Sequence, residues 1–181
     1  MNEGLIPRRY AKALYKYALE KGRDKALYEM MERLAESYAR EPALAKAMAN
    51  PFVDPSQKLT LMLTACGAEK DDAVLHRFFD LLSENHRIGL AGDIARAYGD
   101  IYREANNIHR VTITSAAPLD ADTVKRIEQV VKRHIGGGTV DYTTAVNPDL
   151  IGGFTVNIDN DRLDASVATE LKQMRLKLLS I

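Results

Sequence analysis

The hydrophobic repeat of this chain first changes period at Ile108, and that change constrains the fold more than any other feature. Before it, apolar residues recur every three or four positions; after it, they first alternate with polar ones. A helix-period pattern does not settle as a strand, nor the reverse. Six segments precede the change. From Arg8 to Glu20, Tyr10, Ala11, Ala13, Leu14, Tyr15, Tyr17, Ala18 and Leu19 surround most of a helix, leaving Arg8, Lys12, Lys16 and Glu20 as a narrow polar stripe. Pro7 suits the first turn, where no N–H partner is lost. A second helix carries Leu27, Met30, Met31, Leu34, Ala35 and Tyr38, and Pro42 opens a third that stops at Asn50-Pro51. Asp54-Pro55, a cap followed by a first-turn proline, opens a fourth through Leu59, Leu61, Met62 and Leu63 to Gly67. Asp71 or Asp72 opens a fifth with Val74, Leu75, Phe78, Phe79 and Leu82, and a sixth runs from about Gly89 through Leu90, Ile94, Tyr98, Ile101 and Tyr102 to Asn106-Asn107. Short connections between six helices predict an antiparallel bundle over residues 1–106.

The remainder, residues 107–181, predicts a small βαββα domain, and the whole chain an α+β fold. Val111 and Ile113 alternate with Thr112 and Thr114 up to Pro118, and Asp120 or Asp122 caps a helix with the stripe Val124, Ile127, Val131 and Ile135. Gly136-Gly137-Gly138 closes that helix. Val140, Tyr142, Thr144 and Val146 share one face of a second strand, joined through the turn Asn147-Pro148-Asp149 to a third with Phe154, Val156 and Ile158, which predicts a hairpin-like pair. Gly152-Gly153 lets a backbone approach closely or lets the strand bend. Asn160-Asp161 and a short Arg162-Leu163 piece follow, and Asp164 and Ser166 offer caps for a last helix. Val167, Leu171, Met174 and Leu178 make its apolar stripe, which belongs on a sheet or on another protein.

No arrangement of reactive groups emerges. The 25 basic residues balance 25 acidic ones, so no net field holds a nucleic acid. No apolar run nears the ~20 residues that span a bilayer, which argues against direct membrane insertion. Cys66 is the single cysteine and reads as a small apolar core group. The glycines at 136–138 lack a following Gly-Lys-Ser/Thr, and Gly152-Gly153 lacks the further glycine of a dinucleotide fingerprint. His76, His86, His109 and His134 have no metal spacing. Asp159, Asp161 and Asp164 lack the central Gly and terminal Glu of a calcium loop, and turn and cap duties explain them. Neither a cofactor, a metal nor an enzymatic activity is expected.

Two blocks carry a family likeness. Asn147-Pro148, Leu150-Ile151-Gly152-Gly153, Val156, Ile158, Asp164, Ser166 and Leu171 form one, and Arg9-Tyr10-Ala11-Lys12-Ala13-Leu14 the other. In their order and separation they resemble the delta subunit of the F-type ATP synthase, the family of the mitochondrial oligomycin-sensitivity-conferring protein (OSCP). The sequence departs from that family's pattern with Asn147 for Asp, Ala165 for Gly and Val167-Ala168 for Val-Arg. The resemblance implies a peripheral-stalk (stator) subunit without catalysis of its own. It implies that a helical first domain binds N-terminal segments of alpha subunits on the catalytic head, and that the second domain engages the C-terminal ends of b subunits. With no signal peptide opening at Met1 to Gly4, it implies a peripheral place at the cytoplasmic face of a bacterial inner membrane.

The groove expected for the alpha segment lies between the first and fifth helices: Tyr10, Ala13, Leu14 and Tyr17 with Leu75, Phe78, Phe79 and Leu82. A helix apolar nearly all round is buried on more than one side, and two readings stand: its own bundle encloses it, or a second chain does. The resemblance favours the second for the tyrosine side, while Leu75, Phe79 and Leu82 read first as bundle core. For the b subunit the expected surface is the polar side of the last helix, Lys172, Arg175 and Lys177, which also reads as simply solvated. The alternative function is a free-standing helical adaptor with a small ligand-binding module.

Overall fold

The computed structural model describes residues 4–68, 72–159 and 161–179. The chain folds as two compact units, Met1–Arg103 and Glu104–Ile181. Six α-helices occupy the described residues up to Asn106: α1 (Leu5–Glu20), α2 (Asp24–Arg40), α3 (Pro42–Ala49), α4 (Pro55–Cys66), α5 (Ala73–Glu84) and α6 (Ala91–Asn106). Their ends follow local chemistry. The Asp54 carboxylate accepts the Ser56 N–H at 2.8 Å beside Pro55, and Asp72 accepts the N–H groups of Val74 and Leu75 at 3.1 and 3.3 Å. Asp71, the other expected cap, lies outside the described residues. A 3-10 turn, Ile88–Leu90, precedes α6, so that helix begins two residues after Gly89.

The interior of the first unit is built from the predicted stripes: Ala11, Leu14 and Ala18 of α1, Leu27, Met31 and Leu34 of α2, Met62 and Cys66 of α4, and Ile94 and Tyr98 of α6 are all buried. Aromatic rings tie three of these helices together. Tyr15 of α1 meets Tyr98 edge-on at 5.9 Å, and Tyr28 of α2 stacks on Tyr102 at 4.3 Å, contacts worth ~1 kcal/mol each beyond their buried area. The Tyr98 hydroxyl donates to the Asp24 carbonyl at 3.2 Å, and burial pushes its pKa up. Burial likewise pushes the Cys66 thiol up to about 12, so it stays a protonated packing group.

The second unit contains β1 (Ile108–Ser115), α7 (Ala121–Ile135), β2 (Thr139–Val146), β3 (Gly153–Ile158), β4 (Asp161–Ser166) and α8 (Val167–Leu179). The strands form one mixed sheet in the order β2-β1-β3-β4. β1 runs parallel to β2, with α7 as the crossover such pairs require. It runs antiparallel to β3, and β3 antiparallel to β4. Val111, Ile113, Ile127, Val131 and Val156 make the core between α7 and one face of this sheet.

Three expectations change here. β2 and β3 are not a hairpin pair, because β1 lies between them. β1 supplies Val111 and Ile113, both fully buried, and only a central strand can cover them on both sides. The Asn147 N–H donates to the Ser115 carbonyl at 2.8 Å, and its side chain accepts the Asp149 N–H at 3.0 Å. The turn thus carries the chain across the end of β1. Second, Asp161–Ser166, read as a turn, a short piece and caps, is a fourth strand registered from Ile158↔Asp161 to Gly153↔Ser166. The order is therefore strand, helix, strand, strand, strand, helix. Asn160, half of the expected turn, lies outside the described residues. Ser166 still caps α8, accepting the Thr169 N–H at 3.3 Å. Third, of the two seats expected for the apolar stripe of α8, a sheet or another protein, the sheet is not the one it takes. None of the described α8 residues is buried, and Leu171, Met174, Leu176, Leu178 and Leu179 are all more than half exposed.

Gly136 and Gly153 earn their positions. Gly136 ends α7 in the left-handed region at φ 75°. Gly153 has φ 75°, and a methyl group there would fall inside the Ala165 carbonyl oxygen across the β3–β4 ladder.

Candidate partner interface

Helix α1 uses only one side for its own core, where Pro7, Ala11, Leu14 and Ala18 are buried. Of the eight residues expected to form the first groove, the structure divides three from five. Ala13 is exposed and Tyr10 and Tyr17 are half-buried, and all three follow one another along a single side of α1. Leu14, Leu75, Phe78, Phe79 and Leu82 are buried; the rings of Phe78 and Phe79 lie 5.8 Å apart. These five are core residues in the free protein. Sequence periodicity identifies them as apolar but does not say which helical side meets solvent.

Each tyrosine of the strip has a cation at its ring. Arg87, three residues beyond α5, donates to the Tyr10 hydroxyl at 2.9 Å and lies 5.5 Å from the ring centre. Lys21 lies 5.7 Å from the centre of the Tyr17 ring. The result is a narrow apolar strip centred on the small side chain of Ala13 and flanked by aromatic groups with wet hydroxyls. Tyrosine combines buried area with a polar end and is favoured at protein interfaces for that reason.

The start of α5 is fixed by an ion pair. Arg23 donates to both oxygens of Asp72, at 3.2 and 2.7 Å. Burial alone would raise the Asp72 pKa. The Arg23 guanidinium and the N–H groups of Leu75 and Val74 outweigh it and hold the carboxyl below its usual range.

In the second unit Lys172, Arg175 and Lys177 are exposed on α8. The helix starts from a hydrogen-bonded knot. Asp164 accepts the Ser166 N–H at 3.0 Å and the Ser166 hydroxyl at 2.6 Å, and also the Thr169 hydroxyl at 3.1 Å. Those Ser166 bonds hold the Asp164 carboxyl at about 2.

A further surface escaped sequence reasoning. Between α7 and the β3–β4 side of the sheet runs a groove of about 760 Å³, walled by Ile127, Val130 and Val131 on one side and Phe154, Ile158 and Leu163 on the other. Val130 and Leu163 are 58% and 56% exposed. Leu163 reads in the sequence as part of a short connecting piece, and Val130 falls outside the stripe assigned to α7. The available signal was the second apolar residue beside Val131, which makes the stripe of α7 too wide for one core.

Among the described residues no three His, Cys, Asp or Glu side chains gather where they could hold a metal ion, and no helix is long and apolar enough to cross a membrane. What the described surface offers is apolar ground edged by charge, the make-up of a protein-binding component of a larger assembly. Comparison with known proteins agrees. The chain belongs to the ATP synthase delta (OSCP) subunit family, whose model matches residues 6–178, and it is accordingly a stator subunit that performs no catalysis itself. It is 38% identical over 179 residues to the ATP synthase subunit delta of Phocaeicola vulgatus, covering 98% of this chain and 95% of that one. It is 39% identical to that of Parabacteroides distasonis, covering 99% and 98%. Its fold matches a chain in the cryo-EM structure of the Toxoplasma gondii mitochondrial ATP synthase hexamer with a TM-score of 0.74 and 20% identity, covering 96% and 97% of the two chains.

Proposed function

We propose that this protein anchors the catalytic head of an F-type ATP synthase to its peripheral stalk, gripping the N-terminal segments of alpha subunits with its first domain and the C-terminal ends of b subunits with its second. The shaft that turns inside the head exerts a reaction torque on it. A clamp that resists the torque needs affinity and stiffness rather than reactive groups. The observation that carries the reading is the Tyr10, Ala13 and Tyr17 strip, exposed or half-buried on the same helix whose other side is fully packed. An amphipathic helix laid over Ala13 would cover it, and Leu14, Leu75, Phe78, Phe79 and Leu82, buried in the same unit, complete the groove we propose.

In this reading α1 to α6 act as one antiparallel bundle, and residues 1–106 and 107–181 are the two working domains, divided at the last residue of α6. The protein sits at the cytoplasmic face of a bacterial inner membrane and is held there by its partners. The test is reconstitution. Synthase heads stripped of this protein and reunited with membrane sectors should regain proton-driven ATP synthesis when the purified protein is added back. Heads that couple fully without it would overturn the reading.

A further inference from the structure

Helix α8 keeps its whole circumference outside the core of its unit, since none of its described residues is buried. At 13 residues such a helix is marginal in water unless something covers its apolar side. That side has a particular spacing. Val167, Leu171, Met174 and Leu178 follow one another at intervals of four, three and four residues, the heptad spacing that lays one helix along another with each apolar knob in a facing hole. Exposure along the stripe rises from 38% at Val167 to 75% at Leu178. The seam therefore stands clear of its own unit as it leaves the junction, where the Val167 N–H donates to the Gly152 carbonyl at 3.0 Å.

Charges beside the stripe select what covers it. On one flank Glu170 and Lys177 stand a heptad apart, each one position ahead of a seam leucine; on the other flank are Ala168 and Arg175. Flanking positions of this kind set the partner and the direction of a helix pair. Laid antiparallel on a copy of itself, with Leu171 against Met174 and Val167 against Leu178, α8 brings Glu170 of each copy to Lys177 of the other. Two-fold symmetry makes the contact twice. Arg175 meets only Ala168, every apolar anchor gains an apolar neighbour, and the helix dipoles oppose. A parallel pair would offer Glu170 a cation as well, Arg175, but it would crowd two whole sheet units at the Gly152 end of the seam. The antiparallel pair sends only a helix tip to each unit. The groove beside α7 is a poorer match, being edged by Arg126, His134 and Arg162 against the carboxylate of Asp161, so that the cations of α8 would meet cations there.

We infer that α8 is a self-recognition helix: outside its assembly the protein pairs with a second copy through an antiparallel seam of Val167, Leu171, Met174 and Leu178, held in register by Glu170 and Lys177. Thirteen residues make a seam ~20 Å long, which buries less than the ~1,200 Å² of a standard interface, so the pair is weak and reversible. The seam takes in Arg175 and Lys177, two of the three cations expected to meet the b subunit. Self-pairing and stalk docking on α8 thus exclude each other, and the paired form is the store from which the assembly draws. The pairing itself does not rest on the stalk reading.

Sedimentation equilibrium of the full-length protein, over about a hundredfold range of concentration up to ~1 mM, is expected to show a monomer passing into a dimer. Leu171→Glu should weaken the dimer at least tenfold by placing a carboxylate in the seam. Leu176→Glu is the control, because Leu176 is about as exposed but lies on the far side of the helix, and it should change the dimer by less than about twofold. Both variants should melt like the parent. Glu170→Lys and Lys177→Glu each set like charges together at both ends of the seam, so each alone should pair about tenfold more weakly. A one-to-one mixture of those two variants restores opposite charges and should recover the parent's affinity, with the recovery fading in salt. A monomer throughout the range, equal effects of Leu171→Glu and Leu176→Glu, or a mixture no tighter than its components would each overturn the inference. So would a dimer lost in Glu170→Lys but indifferent to Lys177→Glu, which is the signature of the parallel seam. The measurement contains no other subunit, so its failure leaves head rebinding intact, and failure of head rebinding leaves the seam intact.

Discussion

Replacing Ala13 by Asp separates folding from docking, because Ala13 lies mid-helix in α1 and is exposed. In the free protein the change costs helix propensity only, at most ~0.7 kcal/mol. Under a docked helix the introduced carboxylate loses its water, and the exposed cations Arg9 and Lys16, at i−4 and i+3 on α1, repay only part of that loss. The penalty has a ceiling. A carboxyl of ordinary pKa ~3.9 can be protonated at pH 7 for ~4 kcal/mol, at 1.36 kcal/mol per pH unit, and will do so before it costs more. Binding to stripped heads should therefore weaken by ~2 to 4 kcal/mol, or ~30- to 1,000-fold at 1.4 kcal/mol per factor of ten. The loss should shrink as the pH falls, since protonation removes the buried charge. Ala13→Asn, of the same shape without the charge, should lose about tenfold or less. The assay is a titration of stripped heads at two pH values, with thermal melts of each variant beside it. A well-folded Ala13→Asp protein that binds within threefold of the parent would refute the strip as an interface.

Asp72→Ala removes a helix cap and the acceptor of Arg23, and should destabilise the first unit by ~2 kcal/mol in urea unfolding with an unchanged slope. Because the Asp72 pKa is lowered in the fold, its contribution is full above the ordinary carboxylate value and disappears as pH falls through the folded one. The parent should accordingly lose more stability than Asp72→Asn on going from pH 5 to pH 2. Gly153→Ala forces a side chain into a left-handed backbone and against the Ala165 carbonyl, so the β3–β4 pairing should loosen. Amide exchange in β4 is expected to accelerate while that of α1 to α5 does not. Cys66, fully buried with its thiol pushed up to about 12, should react with a disulfide reagent only at the rate of unfolding; prompt reaction in native buffer would contradict its burial.

The parts of this fold legible in the sequence are those with local causes. Asp54-Pro55 states where α4 begins because cap and proline act within one turn, and Gly136 states where α7 ends because few other residues take its backbone angles. Strand order has no local cause. Period two assigns Tyr142 and Val156 each to a face, but whether β2 neighbours β3 or β1 depends on which strand most needs the centre, and Val111 and Ile113 decide that from far along the chain. β4 escaped notice because an edge strand is marked by charge: Arg162 and Asp164 alternate with Leu163 and Ala165 in a run that also reads as turn and cap. The same limit applies to the first interface. The apolar circumference of α1 announced that more than one side is covered, but only the packed structure separates Leu14, turned inward, from Ala13, turned out.

The two rims of the sheet are unequally guarded. On the β4 side Asp161, Arg162 and Asp164 line the strand with charge, and a second backbone could pair there only at the cost of desolvating it. The β2 rim offers Thr139, Thr143 and Thr144 with the single carboxylate of Asp141 and an exposed Val146. The β2 rim is thus the less charged of the two backbone edges, and Thr143→Lys is the substitution expected to guard it against a second strand.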